Sequence, residues 1–187
     1  MRCLRYIFMV LFLIGIGFSS DVDVVDLEEE KVELLPQVTL KDLNNKKVDI
    51  YSFLDSGPIL INFWFLACEP CKKEMKFLDQ FDQEYSKYGF NVVSINTDNS
   101  RAFSQVKPFV KSKKYSFDVL SDPRSKYFRK LGGNVCPFTV IVDTSGVIVS
   151  KHIGYNAGDE KHLEDSIITL LNIPESDTTD VKEINTD

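Results

Sequence analysis

A short apolar run from Pro58 to Trp64 passes directly into a helical pattern in which Met75, Leu78, Phe81 and Tyr85 share one face. Two cysteines, Cys68 and Cys71, fall at the join, and Pro70 lies just inside the expected helix start. A run this short and continuous is the signature of a buried strand, and the period that follows is that of an amphipathic helix. Proline at the first helical positions costs nothing, because the N–H it lacks has no partner there. A buried strand that feeds a helix through a tight turn belongs to an α/β architecture, so this stretch limits the fold more than any other.

The turn also fixes the chemistry on offer. A cysteine at a helix N-terminus meets free N–H groups and the positive end of the helix dipole. Both favour the thiolate, the reactive form of the side chain. Two cysteines three residues apart close a small disulfide and reopen it, although zinc sites use the same spacing. A structural zinc site ordinarily takes a second such pair, which the sequence lacks, so redox chemistry is the stronger reading and a metal site is not expected. A static structural disulfide is the plainer alternative.

The rest of the chain reads as alternating elements. Gln37–Leu40 and Lys46–Ile50 flank Asn44-Asn45 as a hairpin, and Tyr51–Leu54 reads as a short helical turn. The helix after the cysteines is expected to run to about Tyr88 and stop at Gly89. Asn91–Asn96 is the next strand. Ser100 is expected to cap a helix from about Arg101 to Lys114, which Pro108 should kink or split. Phe117–Leu120 is a short strand, and Asp122-Pro123 begins a short helix to about Lys130. Phe138–Asp143 and Val147–Ile153 form a second hairpin, and Asp159–Leu171 a final amphipathic helix that Pro174 ends. With parallel strands joined by crossovers, helices should cover both faces of a mixed sheet.

One folded domain is expected, over 35–173. The chain has 187 residues and a formal charge of −6, concentrated in its ends. Arg2 and Arg5 precede an apolar run from Tyr6 to Phe18. That run is short for a membrane span of about 20 residues, so 1–19 reads as a signal peptide cleaved after Ser19, with an uncleaved anchor as the alternative. Either places the domain on the outer side of a membrane, in the periplasm or its equivalent. Residues 20–34 form an acidic spacer and 174–187 an acidic tail expected to be disordered. The stretch between is close to neutral, and no basic stripe points to nucleic acid.

The segment Asn62-Phe63-Trp64, followed by Cys68-Glu69-Pro70-Cys71-Lys72-Lys73-Glu74, resembles the ResA/TlpA-like thiol–disulfide oxidoreductases of the thioredoxin superfamily. The similarity covers roughly Leu35 to Asn172. It implies a thioredoxin-like fold with an N-terminal β-hairpin and an αβ insertion at Asn99–Lys130. It also implies a protein-disulfide reductase that needs no cofactor and acts as a monomer. Disulfide-containing exported proteins, apocytochrome c among them, would be its clients, and a membrane thiol donor would restore its dithiol.

The same resemblance assigns roles. Cys68 would attack from the exposed edge of the turn, and Cys71, more buried, would resolve the mixed disulfide. Glu74 would move the proton, since Asn62 stands where the ordinary thioredoxin pattern has a buried Asp. A carboxylate with a raised pKa suits that task near neutral pH; otherwise Glu74 is a dipole partner at the helix start. Pro137 would be the cis-proline facing the cysteines, where substrate backbone pairs like an added strand. Trp64, Glu69, Pro70, Cys136 and Pro137 would line the client site. Glu69, beside the thiol, should oppose thiolate and favour the disulfide unless water screens it.

Two departures from the family pattern stand out. Ala67 replaces the usual Trp before the first cysteine, and Cys136 precedes the proline. Cys136 reads as an apolar filler, as a partner in an alternative disulfide, or as a metal ligand beside Cys68 and Cys71. A metal carrier built on those three thiols is thus a competing function. A peroxiredoxin-like peroxidase is another, but it needs Pro and Thr or Ser where this chain has Ile61 and Phe65. His152 and His162 are the only histidines; His152 reads as structural and His162 as solvated.

Overall fold

The computed structural model describes residues 32–174. The expected leader, most of the acidic spacer and the tail beyond Pro174 lie outside them. A seven-stranded sheet is assembled from β1 (Thr39–Asp42), β2 (Lys47–Asp49), β3 (Ile59–Trp64), β4 (Asn91–Asn96), β5 (Asp118–Ser121), β6 (Phe138–Val142) and β7 (Ile148–Ile153), in the order β2-β1-β5-β4-β3-β6-β7. The strands β5, β4 and β3 run parallel, and the pairs at either side are antiparallel. The helices are α1 (Glu69–Tyr85), α2 (Phe103–Lys113), α3 (Lys126–Lys130) and α4 (Asp159–Leu171). The mixed α/β sheet expected from the sequence is borne out, with the N-terminal hairpin β1–β2 and the inserted α2–β5–α3 as its additions. The insertion joins the two, because β5 bridges β1 and β4.

Strand alternation divides the core between two faces. Leu60 and Trp64 of β3, Val92 of β4 and Ile141 of β6 face one way, where they meet Met75, Leu78 and Phe81 of α1 with Leu163 and Ile167 of α4. Ile59, Ile61 and Phe63 face the other way, against Tyr127, Phe128 and Leu131 of the α3 region. Because β3 is central and covered on both sides, all six of its residues are buried. The polar residue Asn62 therefore has to point into the α1 layer.

Three local outcomes differ from expectation. Ser100 does not cap α2; the Asn99 side chain accepts hydrogen bonds from the Arg101 and Ala102 N–H groups instead. Pro108 neither splits nor ends α2, which runs through it as one helix. The carbonyl that loses its partner belongs to Ser104, an exposed residue, where an unpaired carbonyl is not buried away from solvent. The acidic spacer also takes part in the fold at its end. Leu34 bridges Val147, Ile148 N–H donates to the Glu33 carbonyl, and Lys151 pairs with the Glu33 carboxylate at 2.6 Å.

Asp122 shows how sequence sets a short helix. Its carboxylate accepts from the N–H groups of Lys126, Tyr127 and Phe128 at 2.9 to 3.0 Å, closing the first turn of α3. A five-residue helix is too short to hold itself and depends on such an anchor.

Candidate active site

The turn from β3 to α1 is held from beneath. Leu66 N–H donates to Asp98 at 2.7 Å, and Asp98 also accepts from the Asn96 side chain at 2.8 Å. Thr97 donates to the Trp64 carbonyl through both its N–H and its hydroxyl. Cys68 N–H closes the turn onto the Phe65 carbonyl. Cys68 is then the N-cap of α1, and its Sγ accepts from Cys71 N–H at 3.2 Å. Cys68 and Cys71 are joined as a disulfide, with Cα atoms 5.3 Å apart. In the reduced form the same N–H and the helix dipole face the Cys68 sulfur, which favours thiolate there.

The cysteines are less unequal in exposure than expected. Cys71 is fully buried, but Cys68 is only 5% exposed and belongs to the same apolar cluster as Trp64 and Met75. Trp64 is fully buried against the Phe109 ring of α2, with centroids 5.5 Å apart. It cannot touch a client, which corrects its assignment to the client site: as part of a strand covered on both faces it supports the turn from behind. Glu69, by contrast, is exposed and ion-paired with Lys72 at 2.7 Å. The Lys72 hydrogen bond and charge hold its carboxyl below the usual range. Its expected pressure against the thiolate is accordingly offset by a neighbouring cation. Pro70 is exposed beside it.

Glu74 sits one turn beyond Cys71 on the buried side of α1 and is 1% exposed. Asn62 Nδ2 donates to its Oε2 at 2.8 Å, and Thr139 Oγ1 to its Oε1 at 3.2 Å. The dipole-partner reading does not survive this burial. The register explains the partners: Ser94, Asn62 and Thr139 are direct neighbours across β4, β3 and β6, all on the face that α1 covers. The Ser94 hydroxyl reaches Asn62 Oδ1 at 3.5 Å, continuing the row. Burial pushes the Glu74 carboxyl up to about 8, with the Asp159 charge adding to the rise and the Thr139 hydrogen bond opposing it. Thr139 and Ser94 escaped the sequence reading. Their only signal is a polar residue interrupting an apolar strand, and the cross-strand register that gives it meaning is not local.

The Cys136–Pro137 peptide bond is cis, and Pro137 is buried. Cys136 is a free, half-buried thiol packed against both core clusters. Burial pushes it up to about 11; a Thr97 hydrogen bond opposes the shift and the Glu74 charge adds to it. Among the described residues, no three His, Cys, Asp or Glu side chains are grouped to hold a metal ion. Ala67, where the family has Trp, is exposed next to Cys68 in the chain, and Val135 is exposed next to Cys136. His162 is exposed on α4, whereas the half-exposed His152 has its Nε2 3.5 Å from Asp159 Oδ2.

The redoxin family model matches residues 30–167. A curated relative, the thiol-disulfide oxidoreductase ResA of Bacillus cereus (strain ZK / E33L), is 28% identical over 138 residues, covering 74% of this chain and 76% of its own. Among solved structures, a thiol:disulfide interchange protein from Bacteroides sp. superposes with a TM-score of 0.65 at 22% identity, covering 77% of this chain and 91% of its own. StoA from Bacillus subtilis superposes with a TM-score of 0.58 at 20% identity, covering 71% and 96%. Turn, disulfide and fold agree with these likenesses, and the chain belongs to the redoxin family as a ResA-like member of the thioredoxin superfamily.

Proposed function

We propose that this thiol–disulfide oxidoreductase works outside the cytoplasm as a reductant of disulfides in exported proteins, with the oxidised haem-attachment cysteines of apocytochrome c as one client class. The observation that carries the reading is a helix-start cysteine pair with a buried carboxyl one turn on, Glu74, which burial pushes up to about 8.

The cycle follows from the two environments. Cys68 thiolate, facing the Cys71 N–H, attacks one client sulfur; a Cys68–client disulfide forms and the second client sulfur leaves as thiolate. Cys71 then gives its proton to the Glu74 carboxylate and attacks Cys68 Sγ. The Cys68–Cys71 bond forms, the mixed disulfide breaks, and the client's first sulfur departs and takes up a proton. Two electrons pass to the client, and a thiol donor on the membrane reverses the change in this protein. On that reversal, Glu74 in its protonated form returns a proton to the leaving Cys71 sulfur.

A Cys71→Ser variant tests the reading when mixed with a peptide carrying an oxidised Cys-x-x-Cys-His sequence. A mixed disulfide at Cys68, identified by mass spectrometry after acid quench, is the expected product. No adduct, or an adduct at Cys136 instead, contradicts it.

A further inference from the structure

Beside the disulfide, a cleft of about 440 Å³ runs between α1 and the loop before α4. Pro70, which lies between the two cysteines in the chain, lines it, so the cleft adjoins the disulfide. Phe77 and Tyr155 make an aromatic wall, with ring centroids 6.3 Å apart. Lys73 and Lys76, both exposed and one turn apart, stand on the α1 side, and Asn156 closes the other.

Among the described residues neither Lys73 nor Lys76 is in an ion pair, although the neighbouring Lys72 is. The two carboxylates at the start of α4 are hydrogen-bonded within their own turn. Asp159 accepts from the Asn156 N–H at 2.7 Å, and Glu160 from the Tyr155 hydroxyl and the Gly158 N–H at 2.8 and 2.9 Å. Two lysines without an ion-pair partner among the described residues thus stand over an aromatic wall.

We propose that this cleft reads the client segment beside the target disulfide and selects one with an acidic residue next to an apolar or aromatic one. The carboxylate sits between Lys73 and Lys76 and the apolar side chain lies on Phe77 and Tyr155. This deepens the reductase reading and rests on it. Charge complementarity of this kind acts on encounter and register more than on raw affinity, and salt weakens it.

The test uses three disulfide-bonded peptides of one sequence, with Glu, Gln or Lys beside the cysteine and a Leu adjacent. The purified full chain, held reduced, is assayed for kcat/KM on each. The Glu peptide is expected to exceed the Lys peptide by about tenfold at low salt, the sum of two partly exposed charge contacts. The preference should shrink at 0.5 M salt and reverse in Lys73→Glu/Lys76→Glu. A Lys73→Gln/Lys76→Gln variant, which keeps helix-forming side chains, should treat all three peptides alike. Equal rates on the three peptides with the parent protein overturn the selectivity while leaving the reductase reading intact; failure on all three, the Gln peptide included, overturns the reductase reading itself. A concentration-dependent dimer that either double variant dissolves would assign the cleft to a second copy and also overturn the proposal.

Discussion

Glu74 carries a testable electrostatic signature. Its carboxyl binds a proton more tightly in the folded protein, where it titrates near 8, than in the unfolded chain, where it titrates near 4.5. A folded pKa raised in this way leaves stability intact below about pH 4.5 and removes it as pH rises towards 8, at up to about 1.4 kcal/mol per pH unit. Denaturant unfolding of the oxidised protein at pH 5 and pH 8 should therefore show the parent losing stability relative to Glu74→Gln, with the two nearly equal at pH 5. Glu74→Gln should also slow disulfide exchange and flatten its pH dependence between 6 and 9; a parental rate and profile would reduce Glu74 to a packing group. Cys136 offers a second signature. With its thiol raised to about 11, it should resist alkylation at pH 7, and peptide mapping of the oxidised protein should return Cys68–Cys71 as the major disulfide. A major Cys68–Cys136 or Cys71–Cys136 linkage would make it part of a three-cysteine relay. Cys68, Cys71 and Glu74 were legible because their chemistry is local, each three residues from the next at the start of one helix. Thr139 and Ser94 were not, because only the pairing of β4, β3 and β6 brings them beneath Glu74.

Elements were legible where side-chain periodicity was strong. The strand β4 and the helix α4 fall at the expected residues, and Gly89 ends the α1 segment with a φ of 82°. Adding a Cβ at Gly89 would set it 2.2 Å from the Ser56 carbonyl oxygen, so the position admits only glycine without backbone movement. Caps were harder to read. Ser100 was the expected cap of α2, but the helix begins at Phe103 without a side-chain cap, and Asn99 instead holds the turn before it through the Arg101 and Ala102 N–H groups. At Pro108 the rule against mid-helix proline yielded because the residue that loses its partner, Ser104, is exposed to solvent. The sharpest prediction at this scale concerns α3. Asp122→Ala strips partners from three N–H groups, two of them on the buried Tyr127 and Phe128. It should cost about 2–3 kcal/mol in a chemical-denaturation midpoint, while Asp122→Asn, which retains one acceptor, should cost less. A loss within about 0.5 kcal/mol for Asp122→Ala would show that α3 is held by packing alone.

For the whole molecule, the arrangement of layers decides what the site can do. The α1 layer is apolar except for one polar row, so the Cys71–Glu74 side of the disulfide is dry and carries negative or neutral groups only. Burial disfavours a thiolate at Cys71, and Glu74 adds to this where it is ionised, which favours the disulfide over the dithiol. The buried Cys71–Glu74 side thus favours a reducing couple more than Glu69 does, whose charge Lys72 offsets at the surface. The fold class was legible from the order of elements, whereas the division of labour between these two glutamates required the sheet. The most direct test is a glutathione redox titration of the purified chain, read as the fraction of Cys68–Cys71 disulfide by mass spectrometry. A single two-electron couple near the thioredoxin value of about −270 mV is predicted; a potential above the glutaredoxin range, about −200 mV or higher, would contradict a protein built to reduce its clients.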